Sequence, residues 1–192
     1  MKIILGSSSP RRREILNFFK IPFTQVSSHF DEESVPFNGH PQNYVEFLAQ
    51  AKAEALIPLF PEEVILTADT LVFRGGKAYG KPKNREESVQ NLIELSGNCH
   101  SVFTGLALYA NRKMYLAHEE TKVCFNRLTN AQINAYVDKI PIQDKAAGYM
   151  IQGSGSLIVN RIEGCYYNVV GLPINALGKV LSEAGIHLWD YI

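Results

Sequence analysis

A chain of 192 residues is long enough for one sizeable domain or two small lobes, and its 46% apolar and 20% charged content is that of an ordinary soluble globular protein. Nineteen Lys and Arg balance nineteen Asp and Glu, so no global basic field exists to attract a nucleic-acid backbone, and any anion site must be local. The opening Met-Lys-Ile-Ile-Leu is too short for a secretory leader and no run approaches about eighteen apolar residues, which excludes a membrane-spanning helix and makes a cytoplasmic protein the expectation.

In chain order, Lys2–Leu5 reads as a short apolar strand, Gly6 as a turn, and Ser9-Pro10 as the N-cap and first position of a helix running to Phe19. In that helix Ile15, Phe18 and Phe19 take the core side, while Arg11, Arg12 and Arg13 fan across the first turn. Ile21–Ser27 is predicted as a strand, and Ser28–His40, which carries Asp31, Glu32 and Glu33, as a loop. A second helix follows Pro41, with Tyr44, Phe47, Leu48, Ala51 and Ala55 as its apolar stripe and Lys52 beside it. Val64–Thr67 is a buried strand that delivers Asp69 and Thr70 just past its end; Leu71–Phe73 continues extended, and Arg74-Gly75-Gly76 turns the chain before Gly80-Lys81-Pro82. Asn84 and Glu87 have capping spacing for a helix to Ser96. Residues 100–126 form a long hairpin around Asn111-Arg112, and Thr129 with Gln132 opens a helix through Val137. A strand lies near Leu157–Ile162, and Pro173 opens a last helix that stops at Gly185. Alternating helices and extended segments with an inserted antiparallel hairpin predict an α/β protein with a mixed sheet.

Four clusters carry chemistry. In "LGSSSPRRREIL", residues 5–16, a strand feeds a helix whose N–H groups, serine hydroxyls and arginines can converge on an anion; the blander reading is a well-capped surface helix with solvated arginines. Asp69, in Thr67-Ala68-Asp69-Thr70, can hold a divalent ion or take a proton from an attacking water, although a lone strand-end aspartate more often bonds its own turn. Lys52 and Lys81 supply point charges suited to phosphate and equally at home in solvent. In the stretch Asp144–Gly153 the amide of Gln152 suits a base edge, and Asp144-Lys145 a local ion pair. Gly164–Pro173 shapes either a pocket wall or a tight turn into the last helix. Neither GxxxxGK[ST] nor GxGxxG is present, and Gly153-Ser154-Gly155-Ser156 lacks the spacing of a nucleophile elbow. His29, His40, His100, His118 and His187 lack metal-ligand spacing. Cys99, Cys124 and Cys165 lie far apart with no CxxC, so neither a disulfide framework nor a zinc site is expected, and they read as small buried hydrophobes.

Taken in order, GSSSPRRREIL, AKAEAL, TADTLVF with GKP, DKAAGYMIQG and GCYYNVVGLPI resemble the Maf family of nucleoside triphosphate pyrophosphatases, from residue 3 to residue 184. The resemblance implies one Maf-like domain over 1–192, with a mixed, strongly twisted central sheet flanked by helices and two lobes around a deep cleft. It implies metal-dependent hydrolysis between the α and β phosphates, giving a nucleoside monophosphate and pyrophosphate, with Mg²⁺ or Mn²⁺ as cofactor. A nucleoside triphosphate is the implied partner, without nucleic acid or membrane, and a homodimer is compatible. GYMIQG and YYNVVGLP are similar to the branch acting on dTTP and UTP. The alternatives are the 7-methyl-GTP branch, a modified pyrimidine triphosphate as substrate, and a non-catalytic nucleotide- or nucleic-acid-binding regulator of septum formation. On matching positions Asp69 is the proton acceptor, Arg11, Thr70 and Gln152 bear on substrate choice, Ser7, Arg11, Arg12, Lys52 and Lys81 meet the phosphates, and Glu33 with Asp69 binds metal. Two departures, Ala146-Ala147-Gly148 for the family's Ala-Gly-Ala-type order and Cys165 where serine is frequent, fall at the implied base pocket.

Overall fold

The computed structural model describes residues 2–141 and 145–192; the expected Asp144–Lys145 pair lies outside them through Asp144. The fold is a seven-stranded mixed sheet with helices on both faces. Strand β1 (Ile3–Gly6) is fully buried and pairs in parallel with β2 (Phe23–Val26) on one side and with β3 (Val64–Arg74) on the other. Beyond β3 the sheet is antiparallel, through β5 (Cys99–Ala110), β6 (Lys113–Phe125) and the short β7 (Val159–Glu163). The hairpin partner β4 (Lys77–Tyr79) covers only the far end of β3, from Val72 to Arg74. The expected mixed α/β class is therefore what the chain adopts.

Side-chain alternation along the strands divides the apolar residues between two faces. Ile4, Ile65 and Ala107 pack under α2 (Pro41–Leu56) with Ala49, Ala53 and Leu56. Ile3, Leu5, Leu66, Leu106 and Leu108 face the opposite side. There they meet α1 (Pro10–Leu16) and, later in the chain, α3 (Arg85–Leu95), α4 (Asn130–Lys139) and α6 (Ile174–Glu183). The connection leaving β1 thus crosses one face and the connection entering β3 crosses the other. In open α/β sheets this reversal creates a crevice beyond the carboxyl ends of the two strands. Here the crevice is widened because β1 stops opposite Leu66 and β4 begins opposite Val72, so the edge of β3 between them is left without a strand.

Several local expectations hold in register. Asn84 Oδ1 accepts the Glu87 N–H at 2.8 Å, and Thr129 with Gln132 forms a complete capping box. Asn111 and Arg112 take positive φ of 52° and 60° in the two-residue hairpin turn. Others change. The first helix ends at Leu16 rather than Phe19, leaving Phe18 exposed. Asp69 lies in the middle of an eleven-residue strand, not past the end of a short one. On α2 the buried face is Val45, Leu48, Ala49, Lys52, Ala53 and Leu56, whereas Phe47 is exposed; Lys52 stands within the apolar stripe, not beside it. The expectation that the cysteines are unpaired is overturned: Cys99 and Cys124 lie directly across β5 and β6 and form a disulfide, while Cys165 is free. The short helix α5 (Tyr166–Val170), closed by Gly171 at φ 113°, settles the Gly164–Pro173 segment as a turn that also forms one wall of the cleft.

Candidate active site

The chain leaves β1 at Gly6, where a Cβ would meet Leu56 Cδ1 at 2.5 Å and Thr67 Cγ2 at 2.6 Å, so the side chains of α2 and β3 fill the space that a larger residue would need. The turn that follows is held from β2: Gln25 Nε2 donates to the carbonyls of Ser7 at 2.7 Å and Ser9 at 3.0 Å. Ser9 then caps α1 with Pro10 at the first position, as its residue type predicts. With only seven residues, α1 contributes its arginine side chains more than a helix dipole. Arg12 is pinned by three protein acceptors: Nε donates to Gly171 O at 2.8 Å, Nη1 to Ser7 Oγ at 3.2 Å and Nη2 to Thr70 Oγ1 at 3.0 Å. None of the three is a carboxylate. Burial lowers the Arg12 pKa, and the nearby charges of Asp69 and Glu32 offset this only in part. A half-buried guanidinium held by three neutral oxygens, with no carboxylate bonded to it among the described residues, keeps its charge available to an anion. Arg11 also lines the cleft; Arg13 is exposed and does not.

Asp69 and Thr70 reach the open edge of β3 from opposite faces of the sheet. Thr70 Oγ1 meets Thr104 Oγ1 at 3.0 Å, and Thr104 donates to the carbonyl of Asn168 at 3.0 Å, so Arg12, β3, β5 and α5 form one hydrogen-bonded unit. On the other face Lys52, 4% exposed, places Nζ 2.6 Å from Asp69 Oδ1, 2.8 Å from Glu32 Oε1 and 3.5 Å from Ala68 O. All three ammonium protons thereby have an acceptor. Burial raises the Asp69 pKa above the ordinary carboxylate value against the pull of Lys52, and the negative charge of Glu32 adds to the rise. For Glu32 burial works upward too, but Lys52, then Lys81 and Arg12, hold its carboxyl below the ordinary value. Two neighbouring carboxylates are thus driven apart in acidity, the arrangement that separates a proton acceptor from a permanent anion.

These groups line a single cleft of about 710 Å³, a volume suited to a small-molecule ligand. Ser7, Arg11, Arg12, Lys52, Lys81 and Gln152 all border it, as do Asp69 and Thr70. Lys81 is largely exposed and reaches Glu32 Oε2 at 3.4 Å, so the Gly-Gly turn does fold it back toward the Asp69 side. The amide of Gln152 makes no hydrogen bond to another described residue, and the residue borders the cleft. Glu33 borders the mouth of the cleft but is exposed; it is Glu32 that meets Lys52 and Lys81. Glu32, Gln25, Thr104 and Asn168 are site residues that sequence reasoning passed over. For Glu32 the signal was the acidic run Asp31-Glu32-Glu33, and for Asn168 its place within Gly164–Pro173; Gln25 and Thr104 carried none.

A family model described as Maf-like protein matches residues 2–184. A dTTP/UTP pyrophosphatase of Chlamydia caviae is 47% identical over the whole of this chain and 98% of its own length. A nucleoside triphosphate pyrophosphatase of Chlamydia muridarum is 42% identical over the same shares. A dTTP/UTP pyrophosphatase of Clostridium novyi is 41% identical over 98% of this chain and all of its own. The Staphylococcus aureus Ham1 structure superposes with a TM-score of 0.49 at 14% identity, covering 95% of this chain and 99% of that one. With its motifs converging on one cleft and a family match spanning nearly every residue, the chain belongs to the Maf family.

Proposed function

We propose that this protein hydrolyses dTTP and UTP between the α and β phosphates, releasing the nucleoside monophosphate and pyrophosphate in the cytoplasm. The observation that carries the reading is the half-buried Arg12 guanidinium, whose acceptors among the described residues are all neutral oxygens and which faces the same cleft as the Lys52–Asp69–Glu32 cluster. Names of relatives at 41–47% identity support the substrate class.

Arg12, Arg11 and Lys81 bind the triphosphate, with Ser7 and the turn held by Gln25 fixing its approach. Asp69 accepts the proton of the water that attacks the α phosphorus; its raised pKa makes it the stronger base of the two carboxylates. Lys52 holds Asp69 Oδ1 in place. As the bond to the bridging oxygen breaks, the leaving pyrophosphate gains charge that Arg12 and Lys81 are placed to stabilise. Gln152 offers a donor and an acceptor to the nucleobase edge.

Among the described residues no group of three or more His, Cys, Asp or Glu is arranged to hold a metal ion. Of the carboxylates lining the cleft, Asp69 and Glu32 both meet Lys52, and hard divalent ions are commonly held by one or two carboxylates plus substrate phosphates. The chemistry of the donors therefore fits Mg²⁺ or Mn²⁺. Asp69 and Glu32 are the side chains that would hold it, with Glu32 in the role expected of Glu33, and when bound it supplies neutralisation of phosphate charge.

The experiment is a nucleotide panel with Mg²⁺ present, reading pyrophosphate and orthophosphate separately. Pyrophosphate from dTTP and UTP is the expected product, lost in Asp69→Asn with the melting profile retained. Orthophosphate with a nucleoside diphosphate would overturn the bond assignment, and turnover of 7-methyl-GTP alone would overturn the substrate.

A further inference from the structure

The segment that delivers Gln152 to the cleft has no strand neighbour. After Ala147 and Gly148, at φ 56° and 72°, the chain runs extended through Tyr149 and Met150 to Gln152, outside the seven-stranded sheet. Its backbone is tied instead by side chains. Tyr136, on α4 and 6% exposed, uses one hydroxyl twice: it accepts the Met150 N–H at 3.0 Å and donates to the Met150 carbonyl at 3.0 Å. A single phenol thus supplies both bonds that a neighbouring strand would give one residue. The Tyr136 pKa is pushed up to about 12 by burial, so the hydroxyl keeps its proton and both bonds across the neutral range.

The opposite side of Met150 is closed as tightly. A Cβ on Gly155 would collide with the Met150 carbonyl oxygen, and the Gly155 N–H donates to Gln152 O at 3.0 Å. Gln152 therefore sits two residues beyond one clamp and inside a short turn whose other leg presses on the same carbonyl. Tyr136 does not border the cleft, whereas Tyr149, Met150, Ile151 and Gln152 do.

We propose that Tyr136 is a positioning residue for nucleobase recognition: through its paired hydrogen bonds to Met150 it fixes where the Gln152 amide meets the base, and so sets which triphosphate is accepted. The inference rests on the reading of Gln152 given above. Bond breaking at the α phosphorus is left to Arg12, Lys52 and Asp69, which lie on other elements.

The test compares KM and kcat for dTTP, UTP, dCTP and dGTP in wild type, Tyr136→Phe, Gly155→Ala, Gln152→Ala and Val137→Ala. Tyr136→Phe removes only the hydroxyl. It is expected to raise KM for dTTP and UTP by about tenfold or more while kcat changes by less than about threefold, since small misplacements of a positioning group are costly. Gly155→Ala displaces the same carbonyl from its other side and is expected to lose the same preference. Val137→Ala thins the same helix while leaving the Tyr136 hydroxyl in place, and its selectivity should stay that of wild type although its melting temperature falls. Unchanged KM values in Tyr136→Phe alongside lost selectivity in Gln152→Ala would overturn the proposal alone. Unchanged selectivity in Gln152→Ala would overturn the reading of Gln152 beneath it. Equal loss in Val137→Ala would reduce Tyr136 to a stability effect and overturn the proposal as well.

Discussion

Two side chains on opposite faces of one strand carry the site, and each depends on a partner from elsewhere in the chain. Arg12 needs acceptors from Ser7, Thr70 and Gly171 in three directions, which a planar fork meets and an ammonium does not. Arg12→Lys is therefore expected to lower kcat/KM by about 10²–10³-fold, the scale of removing one aimed donor, measured by pyrophosphate release. Lys52 is a buried cation between two carboxylates. Lys52→Met leaves Asp69 buried beside the like charge of Glu32 and should cost about 3–5 kcal/mol in urea unfolding. Adding Asp69→Asn should recover much of that stability and none of the activity. At this scale the sequence was legible in residue type but not always in direction. Glu32 and Glu33 are chemically alike and neighbours in a loop without periodicity. A single 3-10 turn, in which Asp31 Oδ1 takes the Glu33 N–H at 3.2 Å, sends Glu32 inward and Glu33 to solvent.

Elements position these residues through close backbone approach. Gly105 of β5 lies against α2, where an added Cβ would collide with the backbone of Val45. Gly105→Ala should push α2 away, destabilise the protein by about 1–3 kcal/mol in thermal unfolding, and reduce turnover because α2 also carries Lys52. The capping pairs at Asn84 and Thr129 were legible because they are local, each settled within four residues. The hairpin register is local too, and it fixes a long-range pairing as well as the turn. A two-residue turn at Asn111-Arg112 pairs Ala110 with Lys113 and, counted outward, Cys99 with Cys124. Distance along the chain hid a contact that strand geometry imposes. The face of α2 could not be fixed in this way, since both Phe47 and Lys52 reverse the usual preference for burial.

At the scale of the molecule, the main core runs behind the cleft and includes a buried histidine. His100 Nε2 lies 2.7 Å from Tyr149 Oη, and its ring packs edge-on against Phe125 and Tyr149. Burial pushes the His100 pKa down to about 4 from an ordinary 6.5. The unfolded chain then takes up a proton below pH 6.5 that the native state refuses until pH 4, so stability is full above that window and falls as pH descends through it. The loss attributable to this group is about 3 kcal/mol, and the pH dependence of urea unfolding should flatten by that amount in His100→Gln. Among the described residues no helix is long and apolar enough to cross a membrane, in line with the hydropathy of the sequence. What the sequence alone determined was local or compositional: the mixed α/β class, the caps, the hairpin, the clusters of chemistry and their family. The tertiary structure alone decided that β1 ends short of β4, so that mid-strand Asp69 opens onto a cleft, that Glu32 reaches Lys52, that Gln25 holds the turn after β1 and that Tyr136 clamps Met150. Those outcomes depend on strand lengths and helix faces meeting across the sheet, and no spacing along the chain encodes a meeting of that kind.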